Sequence, residues 1–197
     1  FLQALFANEP TGKRILEFGC GSGDLSVYLA GHTPMTHYTG YDISSAMIKI
    51  ARQKEKQNVV FTDLWNDVEI QVSQQPFDLA LAFFTMHDIE RPEISIKAIS
   101  ECIHPEGKII IIDLSNWDLP QITSLLRKEL AQPIAIKDKR FNALMLSEIA
   151  RFCNCVVEKL EMITPAINFP SKKDLLDYLE VFGIFGGMDL PLGLSFA

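Results

Sequence analysis

The chain has 197 residues, 48% of them apolar and 22% charged, enough to bury a substantial core without metals or disulfides. Eighteen Lys and Arg against 25 Asp and Glu give a formal charge of −7, a sign that argues against nucleic acid as a partner, because phosphates need a positive surface. No apolar run approaches the ~20 residues of a membrane span, and no signal peptide is visible.

Short apolar runs alternate with amphipathic stretches, the pattern of a parallel sheet with helices on both faces. Arg14 to Phe18 is the first strand and ends in a glycine-rich turn. A helix follows with Leu25, Tyr28 and Leu29 on one face, stopped by Gly31. His37 to Asp42 is the second strand. Ser44 or Ser45 caps the next helix, whose inner face is Met47, Ile50 and Ala51. Val59 to Asp63 and Phe77 to Phe84 are the third and fourth strands. Pro92 opens a helix that buries Ile96, Ile99 and Ile103 and stops before Pro105-Glu106-Gly107. The four isoleucines of Lys108 to Asp113 suit a central strand covered on both faces.

The second half is less regular. Leu119, Ile122, Leu125, Leu126 and Leu130 define an amphipathic helix, taken as a cap or insertion within a single domain at about residues 115–145. Ser147 starts a short helix carrying Ile149 and Phe152, and Val156 to Ile163 alternates as an antiparallel edge strand would. Ser171-Lys172-Lys173-Asp174 is a capping box opening a helix with Leu175, Leu176, Leu179 and Phe182 inward. The basic stretch Lys137 to Arg140 reads as a solvated loop. Cys20, Cys102, Cys153 and Cys155 have no zinc-type spacing, so free thiols in a reducing cytoplasm are expected and no metal site.

In open α/β sheets ligands sit beyond the carboxyl ends of the strands, where the strand order reverses. After strand one stands Glu17-Phe18-Gly19-Cys20-Gly21-Ser22-Gly23-Asp24. Glycines at 19, 21 and 23 let the backbone turn sharply and approach a ligand, and the next helix points its first amides at it. A dinucleotide fingerprint would need a small residue where Asp24 stands, and that carboxylate is unfavourable to pyrophosphate. The spacing suits a ligand with a cationic amino-acid part, whose charge Glu17 can favour. Asp42, 23 residues after Gly19, can accept from both ribose hydroxyls. Asp63 can accept the adenine amino group beside the apolar Leu64. Together these strand ends call for an adenosine-type ligand.

With those residues in place, the chain resembles a class I S-adenosylmethionine-dependent methyltransferase, well over residues 12–113 and loosely over 114–185. Ile15 to Gly23 carries the glycine-rich motif, Gly40-Tyr41-Asp42-Ile43-Ser44 the ribose-binding acid, Asp63 the adenine contact, and Phe77 to His87 the strand-four motif. Glu106 departs from the family's Pro-Gly-Gly turn, at a place remote from the ligand. The resemblance implies a Rossmann-like, mostly parallel seven-stranded sheet with an antiparallel C-terminal edge strand. It also implies S-adenosyl-L-methionine as cofactor and extends the binding shell to Cys20, Ile43, Met47 and Phe84.

The acceptor implied is a small molecule. Asn/Asp-Pro-Pro-Tyr/Phe, frequent in nitrogen methylation, is replaced here by Phe83-Phe84-Thr85-Met86, and no cysteine stands there for pyrimidine C5 chemistry. Oxygen, carbon, sulfur or simple amine acceptors remain, and positioning next to the activated sulfonium supplies much of their catalysis. His87 is the titratable candidate for a general base; packing in the loop after strand four is its structural alternative. The segment Leu146 to Phe152, a strand, then Phe169-Pro170-Ser171 is similar to tails of trans-aconitate and malonyl-carrier-protein methyltransferases. The first half is equally similar to ubiquinone and menaquinone methyltransferases. A small carboxylic acid would find Arg127, Lys128 or Arg140 on the cap. The rival classes are a nicotinamide oxidoreductase, a non-catalytic S-adenosylmethionine-binding module and an RNA methyltransferase; oligomeric state is left open.

Overall fold

The structure is a computed structural model, and it describes residues 12–33, 36–113, 143–161, 170–171 and 173–174. Five parallel strands form one sheet: β1 (Arg14–Phe18), β2 (His37–Tyr41), β3 (Val59–Thr62), β4 (Phe77–Phe83) and β5 (Ile103–Ile112). Their order is β3-β2-β1-β4-β5. The chain therefore winds outward from β1 to β3, then crosses over to β4 beside β1. The order reverses between β1 and β4, and in open sheets of this kind ligands sit at the carboxyl ends of the strands at such a reversal.

Helices α1 (Asp24–His32), α2 (Ser45–Ala51), α3 (Trp65–Gln74), α4 (Pro92–Cys102) and α5 (Ala143–Phe152) accompany the sheet. Because side chains alternate across a strand, each strand feeds two cores. Ile15, Tyr38, Leu79 and Leu81 pack with Leu29 and Ala30 of α1 and Ile48 and Ala51 of α2. Leu16, Ala80 and Ala82 pack with Val68 of α3, Ile96 and Ile99 of α4 and Ile149 of α5. The chain divides into two compact units, 1–118 with 136–158, and 119–135 with 159–197; the sheet and α1 to α5 belong to the first.

Several local expectations are corrected. Helix α1 turns Tyr28 outward, 45% exposed, and buries Ser26, Leu29 and Ala30, because Ser26 bonds to Glu17 beneath it. Gly31 lies inside α1, which runs to His32. The cap of α2 is Ser44, whose Oγ accepts from the Met47 amide at 3.4 Å. That register buries Ile48 and Ala51 and leaves Met47 and Ile50 half exposed. Helix α3 has a weak apolar pattern, with Val68 fully buried, and was not apparent as a helix from the sequence.

Ile103 starts β5 directly after α4 rather than ending the helix. Pro105-Glu106-Gly107 lies at the amino end of β5, where the register with β4 shifts between Phe77 and Leu79. Among the described residues β5 pairs with β4 alone, and its isoleucines are half-buried. Helix α5 begins at Ala143, four residues before Ser147, buries Ile149 and leaves Phe152 exposed. It closes in a Schellman turn: Asn154 has φ 56°, and the Cys155 amide donates to the Ala150 carbonyl at 2.8 Å. Residues 156–161 then form no strand, in contrast to the expected antiparallel edge; Glu158 meets Lys108 of β5 through side chains, at 3.3 Å. Ser171 does cap, its Oγ accepting from the Asp174 amide at 3.2 Å.

The amphipathic stretch 119–130, most of the 115–145 cap with Arg127, Lys128 and Arg140, and the Leu175 to Phe182 face lie outside the described residues. All four cysteines are free. Among the described residues no helix is long and apolar enough to cross a membrane, and no cluster of His, Cys, Asp or Glu could hold a metal.

Candidate functional site

The site is built around residues 19–23, which leave β1 and enter α1. Gly19, Gly21 and Gly23 all have positive φ, 75°, 52° and 77°, a region that L side chains rarely adopt. The amides of Gly19 and Cys20 both donate to the Tyr41 carbonyl at the end of β2, at 2.7 and 3.0 Å. A Cβ on Gly19 would run into the Thr85 side chain, and one on Gly23 into the Phe61 ring. The loop is thus clamped between the ends of β4 and β3. Gly21, by contrast, has nothing within 4 Å of where its Cβ would be. The loop offers bare backbone to open space at its middle and close packing at both ends.

Asp42 follows β2 and braces this loop. Its Oδ2 accepts from the Gly21 amide at 2.9 Å and its Oδ1 from the Ser44 amide at 2.8 Å. An Asx turn thus joins the loop to the start of α2. A carboxylate has about four acceptor positions, so two remain for a ligand. Capping of α2 falls to Ser44, which separates Asp42 from that role.

Glu17 points to the α1 side of β1 and is 4% exposed. The Ser26 hydroxyl donates to it. Burial pushes its carboxyl up to about 7, against the opposing hydrogen bond from Ser26. Asp24, at the first position of α1, is exposed and accepts from Ser22 Oγ at 2.6 Å and Lys54 Nζ at 2.7 Å. The Lys54 hydrogen bond holds its carboxyl below the ordinary value. Lys54 also donates to the Ser22 carbonyl at 2.9 Å, tying the loop to the short turn Arg52–Lys54 after α2. The Cys20 thiol is buried, and burial raises its pKa, so it is packing rather than a nucleophile.

Asp63 lies at the end of β3 and pairs with Arg52 at 3.3 Å. A hydrogen bond from the Ser45 side chain, with Arg52 adding to it, holds its carboxyl below the ordinary value. Around this edge large apolar side chains stand exposed: Ile43 at 85%, Leu64 at 59%, Phe84 at 54%, with Met47 half exposed on α2. Isolated apolar exposure is ordinary, but here four such residues stand just beyond β2, β3 and β4, at one end of the sheet. Phe84 is held in the left-handed region, φ 52°, its amide donating to the Ile112 carbonyl at 2.8 Å. Such backbone strain is characteristic of functional edges.

His87 stands in the short turn Met86–Asp88 after β4. Its Nδ1 is 2.6 Å from Asp113 Oδ1, and its amide donates to Asp113 Oδ2 at 3.1 Å. The Asp113 side chain is 2% exposed, and that of His87 22%. The sequence had given Asp113 no role. The only sequence signal for it is a carboxylate at the carboxyl end of a four-isoleucine strand. Lys54 and Arg52, which lock the loop or occupy Asp63, carried no sequence signal, and Thr85 and Phe61 stood out only as members of the strand-four motif and the third strand.

The donor set suits an S-adenosyl group: a carboxylate with acceptor capacity after β2, a bare glycine loop after β1, and an apolar rim after β2, β3 and β4. These residues line the carboxyl edge of a Rossmann-like sheet. The family described as Methyltransferase domain matches residues 1–183, and the chain belongs to this S-adenosylmethionine-dependent family.

Over 107 residues the chain is 33% identical to the ubiquinone biosynthesis O-methyltransferase of Coxiella burnetii, covering 53% of this chain and 45% of that protein. It is 27% identical over 186 residues to the malonyl-[acyl-carrier protein] O-methyltransferase of Haemophilus ducreyi, covering 93% of this chain and 69% of that one. The chain thus spans about half the length of the first of these relatives. The same fold is seen in the plantazolicin methyltransferase BpumL in complex with SAH, at TM-score 0.53 and 19% identity, covering 76% of this chain and 58% of that one.

Proposed function

We propose that the chain transfers a methyl group from S-adenosyl-L-methionine to a small molecule, at oxygen or carbon, with a small carboxylic acid among the candidate acceptors. One observation carries this most: Asp42 is fixed by the Gly21 and Ser44 amides beside a bare glycine loop, with half of its acceptor capacity left over. The donor set assigned is Glu17, Gly19, Cys20, Gly21, Gly23, Asp42, Ile43, Met47, Asp63, Leu64 and Phe84. Within it, Asp42 takes the ribose hydroxyls, while Ile43 and Leu64 cover the adenine. The relatives' names, an O-methylation in ubiquinone synthesis and one on a malonyl carrier, favour oxygen.

When bound, the donor supplies an activated methyl on a sulfonium, so the chain's own work is to orient, to exclude water and to handle one proton. His87 takes that proton as general base, its Nε2 being the ring nitrogen turned away from Asp113. The free thiols fit a reducing cytoplasm.

Two results test this proposal. Incubation with methyl-labelled S-adenosylmethionine and a panel of small acids, phenols and quinols should move label onto an acceptor; label that stays on the donor with every acceptor contradicts it. Asp42→Ala should weaken S-adenosylhomocysteine binding by about 1–3 kcal/mol, the range for hydrogen bonds to a charged group. Unchanged affinity in the folded variant removes the ribose assignment.

A further inference from the structure

We infer that Asp113 is a positioning residue that locks His87 in its Nδ1–H tautomer and so presents the Nε2 lone pair. This rests on His87 as the base, and adds a second residue to that role. Asp113 follows β5 and His87 follows β4, neighbouring strands whose register runs through Phe83 and Ile112. The two side chains are therefore brought together by the sheet itself.

The contact has two points. Asp113 Oδ2 accepts from the His87 amide at 3.1 Å, and Oδ1 meets Nδ1 at 2.6 Å. An ionised carboxylate can only accept, so Nδ1 carries the hydrogen. In the neutral ring Nε2 is then the acceptor. Among the described residues, Asp88 also lies near the ring, its Oδ2 3.6 Å from Nε2, beyond hydrogen-bond length, on a side chain 76% exposed. The Asp113 side chain is 2% exposed against 22% for His87, so the orienting group is shielded while the ring retains an opening. A carboxylate that fixes the tautomer and direction of a catalytic imidazole is a recurrent device, and its loss acts through the wrong tautomer.

Asp113→Asn discriminates this role from simple packing. The His87 amide needs an acceptor, so the asparagine oxygen stays on the backbone and its NH2 turns to Nδ1. The ring must then accept at Nδ1 and carry its hydrogen on Nε2. The experiment is a long-range proton–nitrogen NMR spectrum of the histidine side chains in the full chain above pH 8, with His87 assigned by loss of its signals in His87→Gln. The wild type is expected to show His87 as Nδ1–H, and Asp113→Asn to show it as Nε2–H, with S-adenosylhomocysteine affinity unchanged as the check on folding. A wild-type ring protonated at Nε2, or a tautomer that Asp113→Asn leaves alone, overturns the inference. The wild-type spectrum decides it even where the variant does not fold. Methyl transfer undiminished in His87→Gln would overturn the base reading separately, leaving the tautomer lock in place.

Discussion

Gly19→Ala should lower the affinity for S-adenosylhomocysteine by two orders of magnitude or more. Two costs combine at this position. The backbone has φ 75°, where a non-glycine residue loses roughly 1–2 kcal/mol. The new Cβ also overlaps Thr85, whose own Cβ lies 2.8 Å from it and whose γ atoms lie nearer still. Neither side has room to give, because the Gly19 amide is held by the Tyr41 carbonyl at 2.7 Å and Thr85 Oγ1 donates to the Phe83 carbonyl at 3.1 Å. The loop must therefore move, and with it the Gly21 amide that engages Asp42. At ~1.4 kcal/mol per tenfold, about 3 kcal/mol gives a hundredfold loss. Titration calorimetry of the folded variant measures it. Adding Thr85→Ala to Gly19→Ala should recover part of the loss, since the γ overlaps vanish while the φ strain and the β contact stay. A Gly19→Ala protein that binds as tightly as wild type would contradict the clamped-loop account.

The second large effect concerns Glu17 and pH. Its folded-state carboxyl is raised by burial from 4.5 to about 7. Between those values the folded protein keeps the proton and the unfolded chain has lost it, so the unfolded state binds fewer protons. Stability must then fall as pH rises from about 4.5 to 7, and this contribution is flat outside that window. The size is about 3 kcal/mol, from a shift of some 2.5 units at ~1.36 kcal/mol each. Glu17→Gln keeps the Ser26 contact in neutral form and should abolish this component. Urea unfolding at a series of pH values should show wild type losing about 3 kcal/mol relative to the variant across the window. Parallel stability curves would mean that the buried carboxyl is not held protonated.

Much of the site was legible because backbone chemistry dictates residue type there. Three glycines at alternate positions after a strand announce a turn with positive φ, and all three have it. The Asp at the end of β2 was legible through its distance from the loop, although its double contact to Gly21 and Ser44 needs three dimensions. The first five strands follow from their apolar runs, with boundaries within a residue for β1 to β4.

What stayed hidden depends on long-range partners. Ser26 is polar, yet it is buried because Glu17 lies under it. Tyr28 was placed inward by periodicity, and that preference gave way to this polar pair. Helix α3 has charged and amide residues on most of its surface and packs through Val68, with Gln71 bonding to Thr39 at 2.7 Å. Its periodicity is correspondingly faint. Asp113 lies 26 residues from His87 on another strand, and no local pattern joins them.

The central claim, a donor site at the carboxyl edge, is tested most directly by calorimetric titration of the full chain with S-adenosylhomocysteine, with NADH as the control. Micromolar binding of S-adenosylhomocysteine is expected and none of NADH, whose pyrophosphate would meet the Asp24 carboxylate at the start of α1. Tight binding of NADH with none of S-adenosylhomocysteine would contradict it.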